Sequence, residues 1–205
     1  MTKLASLVIT GTLFSGAIAL SAHAADKAPA AAAAPAAAAA PAAAAPAGPP
    51  KPAPEVDALF KGYEGSWKCD STFPANAMGP GSPESKSKST VKIKKEAGGF
   101  WYKGDYKLAK SKTMPALEAT FLLGYDGAAK SAVSVSYDSL GSYWLEHAPG
   151  ATADKIVFVG DGSMMSMKSK VRETMTMKDP KTVEHTFEVD MGKGFQPFGT
   201  DVCKK

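Results

Sequence analysis

The 205-residue chain has only two cysteines and three histidines. Cys69 and Cys203 stand far apart, so there is no Cys-x-x-Cys redox pair, and no His-x-x-x-His metal spacing exists either. A Gly-x-Ser-x-Gly nucleophile elbow is also missing. Nor is there an excess of one charge. Lysine and arginine total 24 against 20 acidic residues, a formal charge of +4. Three of the basic residues and one acidic residue precede Glu55, so the remainder nets only +2. That is no electrostatic footprint for nucleic acid, and no nucleic-acid motif occurs. After Leu20 no run is apolar enough to cross a bilayer as a helix.

The first 54 residues differ in kind from the rest. Lys3 precedes an apolar stretch from Leu4 to about Leu20, followed by Ser21-Ala22-His23-Ala24. This order fits a signal peptide cleaved after Ala24. Gly11, Ser15 and Gly16 interrupt a run already short for a membrane anchor. No cysteine follows it for lipid attachment. The expected address is therefore periplasmic or extracellular. Residues 25–54 are almost wholly alanine and proline. Pro29, Pro35, Pro41, Pro46, Pro49 and Pro50 cut every nascent helix, which predicts a disordered, semi-extended tether. Residues 55–205 form the domain.

In that domain a short amphipathic piece, 54–63, reads as a helical turn or two. Period-2 segments follow at 64–73, 87–95, 100–108, 116–125, 131–138, 142–148, 155–160, 164–177, 182–189 and 194–203. Turn chemistry separates them at Gly98-Gly99, Asp126-Gly127, Pro149-Gly150, Gly160-Asp161-Gly162, Asp179-Pro180 and Gly192-Lys193-Gly194. Short links without helical crossovers mean an antiparallel up-and-down meander. Ten such strands close into a barrel or leave two edges exposed. The fold class is therefore all-β, a roughly ten-stranded antiparallel barrel. Alternation gives each strand an inner and an outer face. Phe100, Tyr102, Tyr106 and Leu108 oppose Trp101, Lys103, Asp105 and Lys107. Val133, Val135 and Tyr137 oppose Ser134 and Ser136, which reads as valines inward.

Gly65-Ser66-Trp67 resembles the Gly-x-Trp opening of calycin, or lipocalin-like, barrels. Gly65-Ser66-Trp67-Lys68-Cys69, Gly99-Phe100-Trp101-Tyr102, Gly124-Tyr125-Asp126, Asp138-Ser139-Leu140-Gly141 and Cys203-Lys204-Lys205 together resemble a bacterial secreted family known as a domain of unknown function, the fifteen-seventy-nine family. The resemblance spans residues 55–205. It implies a lipocalin-like barrel and carries over no activity. Haem-binding nitrobindin-type barrels are a neighbouring comparison. Their Gly-rich extension after Gly-x-Trp is missing and the last strand has no histidine, so no cofactor is expected.

Closing the barrel brings the first and last strands together, which predicts a Cys69–Cys203 disulfide stapling the seam. In 164–177, Met165, Met167, Val171, Met175 and Met177 share a face with Ser169 and Glu173. In the next strand His185 shares a face with Val183, Phe187 and Val189. A three-residue loop at Asp179-Pro180 sets Glu173 opposite His185, and a five-residue loop makes them diagonal neighbours. The pair reads either as a buried pair whose members satisfy each other or as the polar anchor of an apolar cavity. Cu(I) is the other reading of clustered methionines, but only Met175, Met177 and His185 can converge, and methionine more often fills gaps or lines adaptable pockets. Lys86, Lys88, Lys92 and Lys94 alternate along one strand, with Lys103 and Lys107 nearby. They read as a solvated exterior rather than a docking stripe for anions.

The candidate cavity residues are thus Trp67, Phe100, Tyr102, Tyr106, Phe121, Met165, Met167, Glu173, Met175, His185 and Phe187, with no catalytic or metal residues assigned. The function expected is binding of a small, mainly apolar molecule, lipid-like ones included. The alternative is a non-catalytic structural or interaction module of the envelope with a filled barrel. Neither nucleic acid nor a membrane span is expected as a partner. The tether reading has a direct check. A chain starting near Pro54 should melt within a degree or two of the chain starting at Ala25, because alanine and proline offer little to pack. A drop of many degrees in calorimetry would mean that the segment docks on the domain.

Overall fold

The computed structural model describes residues 48–205; the expected signal peptide and most of the expected tether lie outside them. Pro54 occupies the first turn of helix α1 (Pro54–Phe60), where its missing N–H costs nothing. Val56, Leu59 and Phe60, at helical spacing, are buried on one face. A 3₁₀ turn, Lys61–Tyr63, leads into the first strand.

Ten strands follow: β1 (Gly65–Phe73), β2 (Ser85–Glu96), β3 (Trp101–Leu108), β4 (Leu117–Asp126), β5 (Ser131–Asp138), β6 (Tyr143–Pro149), β7 (Lys155–Met164), β8 (Met167–Asp179), β9 (Thr182–Asp190) and β10 (Gln196–Lys204). Each pairs antiparallel with its sequence neighbour, and β1 pairs with β10, so the sheet closes as the meander required. The disulfide is at that seam. Cys69 and Cys203 are register partners, their Cα atoms are 4.0 Å apart, and the bond is formed.

Helix α1 packs against one end of the barrel, its Phe60 ring 6.2 Å from that of Tyr102. Tyr102 donates its hydroxyl to Asp57 at 2.8 Å, and Lys95 Nζ pairs with the same carboxylate at 2.6 Å. The β1–β2, β3–β4, β5–β6, β7–β8 and β9–β10 connections gather at the opposite end.

Two local expectations are corrected. Gly160-Asp161-Gly162 is not a turn; β7 runs through it to Met164. The glycines are there for close approach. A Cβ at Gly160 would lie 2.0 Å from the Leu145 carbonyl oxygen, and one at Gly162 2.0 Å from that of Tyr143. The chain reverses instead at Met165 and Ser166, both with positive φ (46° and 69°), between the paired Met164 and Met167. Two consecutive positive-φ residues make the two-residue hairpin turn that suits strand twist, here without the usual glycine. Strand β5 is also inverted relative to the alternation read above. Ser134 is buried and Ser136 also faces in, whereas Val135 and Tyr137 are on the outside, 36% and 56% exposed. Val133 on the same face is buried, but Val135 and Tyr137 did not outweigh a polar lining that the interior uses.

The lysine stripe of β2 is exterior, and three of its four lysines, Lys86, Lys88 and Lys94, are paired with acidic neighbours. Lys88 pairs with Asp70, Lys94 with Glu96 at 2.5 Å, and Lys107 on β3 with Glu118 at 2.9 Å. The disulfide links residues 134 apart, so its loss should cost about 5 kcal/mol if constraint of the unfolded chain dominates. The double variant C69A/C203A should therefore unfold at markedly lower urea concentration, with the barrel retained. Unchanged stability, or two titratable thiols in the denatured, unreduced native protein, would contradict this role.

Candidate functional site

The barrel encloses a cavity of about 230 Å³ whose walls are overwhelmingly apolar. At the helix-closed end it is lined by Tyr63, Trp67, Ile93, Leu123, Phe158 and Val183. Trp67 is fixed there by donating its indole N–H to the Tyr63 carbonyl at 2.8 Å. At the loop end it is lined by Phe73, Leu108, Met114, Met164 and Phe198, and Met78, Leu140 and Met165 form a partly exposed rim. Phe121 lies across the interior over Gly104. A Cβ at that glycine would be 1.9 Å from the ring, so only glycine gives the ring this seat.

Eight of the eleven sequence-chosen residues line this cavity: Trp67, Tyr106, Phe121, Met165, Glu173, Met175, His185 and Phe187. Three do not. Phe100 falls in the turn before β3 rather than in the strand, just after the 3₁₀ turn Ala97–Gly99. Tyr102 does face inward and is buried, but it is spent on α1, with its ring against Phe60 and its hydroxyl on Asp57. Met167 is 49% exposed, because the reversal at Met165-Ser166 ends the alternation there; Met164 takes the buried position instead. Met177 packs at the closed end against Gly62, away from His185.

Around the waist of the cavity runs a polar belt, one group from each of several neighbouring strands. Glu173 on β8 accepts from His185 Nε2 on β9 at 3.2 Å. His185 Nδ1 meets Asp201 Oδ2 on β10 at 3.4 Å. Asp201 Oδ1 accepts from Ser71 on β1, across the seam, and lies 3.4 Å from the Ser89 hydroxyl on β2, whose oxygen is 2.9 Å from that of Ser71. Tyr106 on β3 comes next. Its hydroxyl is pushed up to about 12, by burial first and then by the Asp201 charge. The β8–β9 register sets Met175 opposite His185 and Glu173 opposite Phe187, so Glu173 and His185 are diagonal neighbours.

The belt's charge states follow from its geometry. Burial pulls the His185 imidazole down, but hydrogen bonds to Asp201 and Glu173 and their charges outweigh it and push it up to about 10. His185 is thus a cation at neutral pH. Glu146, inward on β6 and fully buried, behaves oppositely to a surface carboxylate. Burial pushes it up to about 9, the Glu173 charge adds to this, and the Ser134 hydroxyl and His185 only partly offset it. It is a neutral acid at pH 7, and neither of its oxygens has a hydrogen-bond partner. The order Ser71–Asp201–His185 puts the carboxylate between hydroxyl and imidazole. The imidazole therefore touches no serine, and the arrangement is not that of an acyl-transfer triad.

The sequence reading missed Asp201, Glu146, Ser71, Ser89, Ser134, Trp144 and Met164. A signal for Asp201 existed: Cys203, inward at the staple, fixes the parity of the residue two before it. None existed for Glu146, since Trp144 and Glu146 alternate with the equally apolar Tyr143 and Leu145.

Both raised groups act on stability in the same direction. A group whose folded pKa exceeds its unfolded one favours folding below the unfolded value and loses that contribution as pH rises through the folded value. For His185 the window is about 6.5 to 10, and for Glu146 about 4.5 to 9. The melting temperature should fall steadily from pH 6 to pH 9. E146Q should gain stability over the parent as the pH rises from 5 to 8, with the smallest difference at pH 5. H185F should lose about 2–4 kcal/mol at pH 6, leaving two carboxylates without their cation. Thermal unfolding across this range measures all three, and a flat profile would contradict the assigned charge states.

No curated protein matches the chain. Residues 52–197, which span the helix and nearly the whole barrel, match the family described as "Protein of unknown function (DUF1579)". This bears out the family resemblance carried jointly by the motifs from Gly65-Ser66-Trp67-Lys68-Cys69 to Asp138-Ser139-Leu140-Gly141: the chain belongs to the DUF1579 family.

Proposed function

We propose that this barrel binds a small, mainly apolar molecule in its interior and works as an exported binding protein. The observation that carries the reading is the cavity itself: about 230 Å³, with mainly apolar walls, a polar belt at its waist and few other polar groups, among them Asp138 and Ser142 near the loop end. A dry cavity of about 150 Å³ already accepts benzene. An interior built to be filled would close this space with its own aromatic and methionine side chains, which favours binding over the structural module. Few, fixed polar groups in an apolar wall are the usual composition of small-molecule sites. Export is supported by the apolar N-terminal stretch with its small-residue cleavage pattern and by the disulfide, which belongs to an oxidising compartment. Among the described residues no helix is long and apolar enough to cross a membrane.

Native mass spectrometry of the protein isolated from its own cell envelope should show a retained non-covalent mass. In solution the neutral dye N-phenyl-1-naphthylamine should bind with enhanced fluorescence. Ala119 lines the cavity, and A119W should abolish that signal while the disulfide still forms. A dye signal that survives A119W would place binding elsewhere, and absence of both ligand and dye binding would favour the filled-module reading.

A further inference from the structure

The binding reading leaves the ligand's polar group open, and the inventory of the waist constrains it; this inference rests on that reading. No lysine or arginine lines the cavity among the described residues. Lys205 stacks over the Trp67 ring at 4.5 Å, but it is not a lining residue and donates to the Gly62 carbonyl. The cation of the belt is His185, and it is fully committed. An imidazolium has two N–H groups, and these face Glu173 and Asp201. A carboxylate or phosphate head would find no free cationic donor there and would meet two like charges.

Acceptors, in contrast, are in surplus. Glu173 uses only Oε2 on His185. The Ser136 hydroxyl lines the cavity, buried and without a partner. Unpaired buried polar atoms of this kind cost folding energy and are recovered when a ligand supplies the missing partner. Two carboxylates around one imidazolium also leave one negative charge in excess, inside apolar walls that screen it little.

We infer that the cavity selects apolar molecules carrying a hydrogen-bond-donating head, a protonated amine first and a hydroxyl second, and rejects anionic amphiphiles of the same size. Glu173 accepts the charge-assisted hydrogen bond, and Ser136 accepts a second. The apolar walls take the remainder of the molecule.

The test is competition against bound N-phenyl-1-naphthylamine at pH 7, using the disulfide-bonded chain with n-octylamine, 1-octanol and octanoate. Octylamine should displace the dye at a concentration at least about tenfold lower than octanoate, with octanol between them. E173Q should remove about tenfold of the amine's advantage over the alcohol and leave octanol nearly unchanged. Octanoate equal to or better than octylamine overturns the inference and leaves the binding reading standing, as does an amine-to-alcohol ratio indifferent to E173Q. Failure of the dye itself to bind overturns both. If E173Q does not fold, the ranking of the three ligands on the unsubstituted protein decides.

Discussion

Everything described here depends on the ladder between β1 and β10. Nine of the ten strand pairings are between sequence neighbours and are made by short connections, but this one joins the two ends of the domain. Its closure entropy is the largest in the fold. Three things are stacked along it: the Cys69–Cys203 bond, the backbone register from Lys68–Lys204 to Thr72–Thr200, and the Ser71 hydroxyl on Asp201. The last makes the seam more than a closure. It joins the polar half of β8–β10 to that of β1–β3, so the belt exists only in the closed barrel. Opening the seam would expose His185 and its carboxylates to water and dissolve the site together with the fold.

The architecture was readable from residues because the signals were redundant. Period-2 alternation, turn residues and the lack of crossovers all pointed to a meander, and Cys69 in the first strand and Cys203 in the last only make sense if the meander closes. The site was readable where parity was unambiguous, as for Val183, His185 and Phe187, and for Val171, Glu173 and Met175. It failed where both faces carry apolar residues. Val133, Val135 and Tyr137 were read inward because hydrophobicity normally decides, yet the interior spends β5 on Ser134 and Ser136. It failed again at Gly160 and Gly162, where glycine marks close strand contact rather than a turn. A Met-Ser hairpin carries no composition signal at all.

The belt is an expensive interior. Four ionisable groups, Glu146, Glu173, His185 and Asp201, face one another inside apolar walls, and hydrophobic residues of similar volume would give a more stable barrel. Glu146 in particular is held neutral against its ordinary tendency, the Ser134 hydroxyl and the His185 charge only partly offsetting its burial. Stability alone does not account for such a residue.

The position of the belt also determines what kind of shape can fill the barrel. Helix α1 shuts one end, and apolar wall continues past the waist to Trp67 and Val183, so there is a lower chamber beneath the polar ring as well as an upper one towards the loops. A simple head-and-tail molecule anchored at the ring occupies one chamber and leaves the other vacant. A guest with apolar bulk on both flanks of its donor wets neither chamber and fills both. On the proposed binding reading, the barrel would measure how far along a skeleton the polar atom sits, as well as what that atom is.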